Sequence, residues 1–114
     1  AVERVISEAE VLRVHGHANF GTISPRQVVD DGVRKYAVGY HSGYTQLCIL
    51  LEHGLITKPR PGSYDARLTK KGRAYLRALL ESDRADHARL SAALGEAREA
   101  LQGANEALAT VTAH

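Results

Sequence analysis

Apolar side chains stand at positions 2, 5, 6, 9 and 12 of VERVISEAEVLRV, with polar residues between them. That is the spacing of one helix face, and it predicts a first helix over residues 2–14. Gly16 and the HANFGT stretch end it. The next element opens on Ser24-Pro25-Arg26-Gln27. Serine suits the cap, proline the first helical position and glutamine the third position of a capping box. A second helix is predicted from about Pro25 to Ala37, burying Val28, Val29, Val33, Tyr36 and Ala37. Gly32 inside it costs on the order of 1 kcal/mol relative to alanine.

After the turn GYHSG comes a third helix, capped by Ser42, running through TQLCILLEH and ending at Gly54, where a left-handed terminator belongs. Tyr44, Leu47, Cys48 and Leu51 share one face and are predicted to point inward; Ser42, Gly43, Thr45 and Gln46 lie on or near the outward edge. Leu55–Lys58 and Tyr64–Leu68 read as two short strands joined by the rigid turn Pro59-Arg60-Pro61-Gly62-Ser63. Thr69 caps a last helix that meets no proline from Lys70 to about Ala109. Leu80, His87, Leu94, Leu101 and Leu108 recur every seven residues there, accompanied by Leu76, Asp83, Leu90, Ala97, Ala104 and Val111. From Leu90 onward this is a coiled-coil seam about three heptads long, weakened by Gly95 and Gly103. The expected fold is mainly α with a small β-hairpin.

Charge changes the picture because of where it lies. The chain of 114 residues carries a net charge of only +2. Between Gly54 and Arg77, however, seven basic residues (Lys58, Arg60, Arg67, Lys70, Lys71, Arg73 and Arg77) face one acid, Asp65. The flanking segments are slightly acidic. Such clustering, on a hairpin beside a helix, suits a phosphate backbone. Lys70 and Lys71 stand at a helix start, where the macrodipole disfavours cations, so an external anion explains them better.

Other chemistry is poorly represented. The single cysteine, Cys48, allows no intramolecular disulfide, fits a reducing compartment and reads as a core thiol. His15, His17, His41 and His53 have no metal-site spacing with it. No phosphate-cradling loop, nucleophile elbow or zinc motif is present, so no enzyme activity, cofactor or metal is expected. No apolar run approaches a membrane span, and the first residues lack a signal peptide's pattern. A cytoplasmic, nucleoid-associated protein is the expectation.

Two phrases carry a family resemblance. Leu51-Glu52-His53-Gly54-Leu55-Ile56 and Leu68-Thr69-Lys70-Lys71-Gly72-Arg73-Ala74-Tyr75-Leu76 resemble the joints of winged helix-turn-helix transcription regulators, closest to the PadR and MarR-type groups. They cover about a third of the chain. The resemblance implies a winged-helix DNA-binding domain over residues 1–72 and a dimerisation helix over 73–114. The wing is short, and GVRKYAVGYH lengthens the second helix and its turn. No further N-terminal helix is present to build a MarR-type dimer interface, so the final helix must supply it.

Under this reading, residues 42–53 form a recognition helix entering the major groove by its N-terminal end. Gln46 would pair with adenine and Thr45 with thymine or either partner, Ser42 and Tyr44 would hold phosphates, and Gly43 would let the backbone approach. The basic wing, residues 55–68, would meet the minor groove and backbone, with Arg60 at its tip. Lys58, Ser63, Tyr64, Arg67, Lys70 and Lys71 would flank it, and Arg26, Arg34 and Lys35 would add contacts from the second helix. Leu76, Leu80, His87, Leu90, Leu94, Leu101 and Leu108 would form the homodimer seam. The expected partner is a palindromic double-stranded site. A repressor is the first expectation. The alternatives are a phage or plasmid maintenance or DNA-organising protein of broad site preference, and a winged-helix adaptor for an unidentified protein partner.

Overall fold

The computed structural model describes residues 1–112, with side chains through Glu106; the seam position Leu108 lies outside the described side chains. A 3₁₀ turn, Val2–Arg4, is followed by four helices: α1 (Glu8–His15), α2 (Pro25–Ala37), α3 (Tyr44–Glu52) and α4 (Lys70–Thr112). The chain is mainly helical and ends in a long helix, as its periodicity predicts. It divides into two compact units, Ala1–Glu81 and Ser82–His114. Among the described residues, no helix is long and apolar enough to cross a membrane.

The predicted first helix is broken. Ser7 adopts an extended conformation and its hydroxyl accepts the Glu10 N–H at 3.2 Å, capping α1. The cap resets the helical phase. Val2 and Ile6 are buried ahead of it and Val11 within α1, whereas Ala9 and Leu12, expected inside, are exposed. The start of α2 is as predicted: Ser24 accepts the Gln27 N–H, with Pro25 at the first turn. Val28, Val29, Val33 and Tyr36 are buried, but Ala37 at the helix end is exposed. Gly32 has a packing role as well as a propensity cost. A Cβ there would stand 2.7 Å from a Leu50 methyl, so the missing side chain lets α3 approach α2.

Both α2 and α3 close with paired hydrogen bonds to the carbonyls of their last turn. At the end of α3, Gly54 N–H bonds to Leu51 O and Leu55 N–H to Leu50 O, each at 3.0 Å. Gly54 has φ +74, the left-handed geometry this closure requires. Leu55 and Ile56 then enter the core.

The two predicted strands are reduced to one antiparallel bridge, Ile56 with Leu68, and no strand forms among the described residues. Thr57 N–H bonds to Arg67 O at 2.8 Å and Thr69 N–H to Leu55 O at 2.9 Å. The return bond is made by a side chain: Arg67 N–H donates to Thr57 Oγ1 at 3.0 Å. Further out, Pro59 and Pro61 have no N–H to extend a ladder. The 57–67 segment is therefore a reversing loop, with a tight turn from Arg60 to Ser63 closed at 3.0 Å.

Thr69 fastens the loop to α4. Its hydroxyl donates to Gly54 O at 2.6 Å and accepts Gly72 N–H at 3.0 Å. Gly72 lies against the backbone of Leu55, where a Cβ would fall 2.0 Å from the carbonyl oxygen. The glycine of the LTKKGR phrase is thus a close-approach residue. The first compact unit continues past it because Tyr75, Ala78 and Leu79 are buried.

Candidate nucleic-acid interface

The cations of the central block are on the surface. Lys58, Arg60, Arg67, Lys70, Lys71 and Arg73 are all exposed, on the loop and the first turns of α4. Four of them (Lys58, Arg60, Arg67 and Arg73) line an open cleft of about 920 Å³. Its other wall is the α2–α3 turn with Tyr36, Tyr40 and His41. Tyr36 ties wall to loop: its hydroxyl donates to Tyr64 O at 3.3 Å and shares a 3.1 Å hydrogen bond with Ser42. Asp65, the one acid of the block, lies 2.6 Å from His41 Nε2. Arg73 reaches back to Leu68 O at 3.2 Å, which holds its guanidinium beside the loop.

Tyr40, His41 and Arg73 are among the cleft residues outside the sequence-based site. Arg73 was visible as part of the basic run. Tyr40 and His41 are separated from the loop by about 20 residues, and only the fold brings them to it.

Several predicted contact residues prove to be structural. Gln46 is 6 % exposed; its amide donates to Val28 O at 2.7 Å and its oxygen accepts from Lys35 Nζ at 3.0 Å. A side chain so engaged fastens α3 to α2 and does not reach a base. Lys35, exposed on α2, places one N–H of its ammonium on that oxygen. Ser42 is buried and does not cap α3; the cap position is Gly43, with no side-chain hydrogen bond. Arg34 lies 3.8 Å from Asp31.

Arg26 is withdrawn from any phosphate. It donates to Tyr75 Oη at 3.0 Å and to Ile6 O at 2.7 Å, and it pairs with Glu8. Tyr75, fully buried, donates in turn to Asp30 Oδ1 at 2.5 Å. Burial, then the Asp30 carboxylate, push the Tyr75 phenol far up, against the opposing pull of Arg26. Burial likewise raises the Asp30 carboxyl above its usual range, although the Tyr75 hydroxyl and nearby arginines favour its anion. This chain of polar groups locks the start of α4 onto α2 and the N-terminal segment. No short-range pattern announces it, because its members are 45 and 49 residues apart.

The outward edge of α3 is consequently Gly43, Tyr44 and Thr45. Tyr44, predicted to face the core, is 67 % exposed. The neighbouring Cys48 holds its phenol above the usual tyrosine range, and the nearby Tyr64 adds to the rise. Cys48 is half-buried rather than a sealed core thiol. Leu47 is buried as predicted, and Gln46, Ile49 and Leu50 take the other inward positions.

His53, at the end of α3, is buried, and neither ring nitrogen has a protein hydrogen-bond partner. Burial lowers its pKa, reinforced by Lys71 and Arg13 and opposed by Glu10 and Glu52.

The second unit is built differently. Every described side chain from Asp83 to Glu106 is exposed. Leu90, Leu94 and Leu101 are 64, 59 and 63 % exposed. His87 lies on the same exposed helix. In the first unit, Leu80 is about half exposed, but Leu76 is partly buried against the core and so belongs with the fold rather than a free seam.

No family model, curated protein or solved structure matches this chain.

Proposed function

We propose that the chain is a dimeric regulator that binds double-stranded DNA. Residues 1–81 act as a winged helix-turn-helix unit with a reduced wing, the 57–67 loop, and the last helix pairs two copies. The observation that carries this reading is the row of exposed cations Lys58, Arg60, Arg67, Lys70, Lys71 and Arg73 on one loop and the helix start beside it. Six cations close together repel one another in the free protein, and a polyanion relieves that repulsion while releasing its own counterions. Asp65 is the only acid among them and is occupied by His41.

In this arrangement the start of α3 faces the major groove with Thr45 and Tyr44, and Arg60 leads the loop toward the minor groove. The exposed Leu90, Leu94 and Leu101 give the dimer its seam. Two-fold pairing then calls for half-sites about one helical turn apart. Transcriptional repression is the simplest outcome, since occupancy of a site needs no second surface.

The burial of Gln46 favours a second reading within the same chemistry. With its best base-reading side chain held by Val28 and Lys35, α3 retains little hydrogen-bonding capacity for bases. A protein that organises DNA, or maintains a phage or plasmid, at many sites uses backbone and shape in this way.

Titration of random-sequence duplex DNA at increasing salt tests the reading. Affinity should fall with a log–log slope of about one unit per phosphate contact, near four to six per subunit. Reversing Arg60, Lys70 and Lys71 to glutamate should abolish binding. Unchanged binding by that variant would show that these cations do not hold the DNA, and no binding by the parent chain would leave the adaptor role. Competition between a selected site and its scrambled version separates regulator from organiser: less than about a tenfold difference removes the sequence-specific regulator.

A further inference from the structure

A second depression, about 400 Å³ in volume, lies between the 57–67 loop and the exposed side of α3. Leu47, Leu51 and Pro59 give it an apolar lining, and Lys58 and two tyrosines, Tyr44 and Tyr64, complete its wall. Both tyrosines are exposed, Tyr44 at 67 % and Tyr64 at 43 %. Both stand on the wall of the same groove, Tyr44 from α3 and Tyr64 from the loop. The groove thus offers two ring faces over an apolar lining at the edge of a cationic loop.

Those features select an occupant. The rings and the lining favour a flat aromatic group. Lys58, with Arg60 and Arg67 on the same loop, favours an anion on its flank. A nucleotide carries both, a planar base and a phosphodiester. Duplex DNA can satisfy the cations, but it keeps its bases stacked inside and leaves the groove unfilled. Base stacking on aromatic side chains beside a positively charged track is how single strands are held without strong sequence preference.

We propose that the groove between α3 and the 57–67 loop binds one unpaired base of a nucleic-acid strand, stacked against Tyr44 and Tyr64, with Lys58 on the adjoining phosphate. The inference rests on the reading that this loop engages a nucleic-acid backbone. It adds a distinct substrate class, strands with unpaired nucleotides, and a distinct site. The pairing of Tyr44 with Tyr64 also gives the exposed tyrosine of α3 a role that base-edge readout does not.

The test compares three labelled ligands on the full chain by fluorescence anisotropy: an oligothymidylate of about a dozen nucleotides, an abasic strand of equal length, and the duplex of the same length. The oligothymidylate should bind at least about tenfold more tightly than the abasic strand, since stacking supplies the difference. Tyr44→Ala and Tyr64→Ala should each remove most of that difference, and Tyr44→Phe and Tyr64→Phe should restore it. The strand, but not its abasic counterpart, should slow alkylation of Cys48, which lines the groove. Equal affinity for the two strands, or alanine variants that weaken both alike, would overturn the proposal; if duplex binding persisted, the duplex reading would stand. Base-dependent binding of the strand without duplex binding would keep this site and remove the duplex reading. Absence of binding to all three ligands overturns both.

Discussion

The two units of this chain use leucine in opposite ways. In residues 1–81, Leu47, Leu50, Leu55 and Leu79 are buried. Along the described part of residues 82–114, Leu90, Leu94 and Leu101 are all more than half exposed. The boundary falls inside one helix: α4 gives Tyr75, Ala78 and Leu79 to the core and then continues with every described side chain from Asp83 in solvent. A lone helix in water draws little stability from propensity alone, and most helices depend on packing of an apolar face. The first unit thus packs these leucines into a core, whereas the described part of the second leaves its leucine seam exposed. Mutations should therefore act through folding in the first unit and through association in the second.

The largest effect is expected at Gly72. Gly72→Ala places a methyl against the Leu55 carbonyl, a backbone atom that cannot rotate away. A loss of about 3 kcal/mol is expected, read as a lower urea midpoint. Full stability in this variant would break the picture of α4 docked tightly on the end of α3. Tyr75→Phe keeps the ring and removes the hydroxyl between Arg26 and Asp30. It should cost about 2 kcal/mol, because partly buried charged groups lose a partner. Gln46→Ala should cost about 1 kcal/mol by leaving Val28 O and Lys35 without their partner, whereas Thr45→Ala should leave stability unchanged. If Gln46→Ala instead left stability intact and changed base preference, the base-reading role would return.

Acid provides a further probe of the first unit. His53 has a folded pKa below its ordinary value of 6.5, so between the two values the unfolded chain binds more protons than the folded one. Its contribution is fully present above the ordinary value and is lost as pH falls through it toward the lowered one. Asp30, with a raised carboxyl, acts in the opposite sense from its ordinary 3.8 upward, and stability from it declines as pH rises through that raised value. Urea midpoints from neutral pH to just below 6.5 should fall in the wild type and fall less in His53→Phe. Parallel profiles would show that the buried imidazole does not govern the acid limb.

The smallest effect on folding sharpens the other side of the comparison. Leu90→Lys with Leu94→Lys should shift the urea midpoint of the first unit by less than about 0.5 kcal/mol equivalent. If the proposed seam pairs two copies, the parent chain should be dimeric and this variant monomeric in sedimentation equilibrium. A substantial loss of first-unit stability would mean that these leucines serve the fold after all.

Particular residues show what local pattern conveyed. Ser24-Pro25 announced α2 because caps act within one turn, and Gly54 announced the end of α3 because a left-handed terminator depends only on its own φ. The seven-residue spacing of leucines announced a long helix because repetition outweighs local exceptions. The basic run likewise needed no fold to be seen. The break at Ser7 was missed since apolar spacing on either side was compatible with one helix, and only the Ser7–Glu10 cap decided between them. The strands were overcalled because β-branched and aromatic residues near a Pro-Gly turn resemble a hairpin, while the prolines and Thr57 Oγ1 restrict the ladder to one bridge.

The sequence by itself determined the start of α2, the end of α3, the long final helix and the concentration of cations after Gly54. These properties depend on neighbours within a few residues, and covalent order fixes those. The tertiary structure alone decided which face of α3 is inside, that Gln46 and Arg26 are fastened into the fold, and that Tyr44 and Tyr64 share a groove. Such outcomes depend on partners 11 to 49 residues away. A polar side chain that finds a buried carbonyl is withdrawn from solvent whatever its local pattern suggests, because leaving that carbonyl unpaired would cost more than the lost hydration.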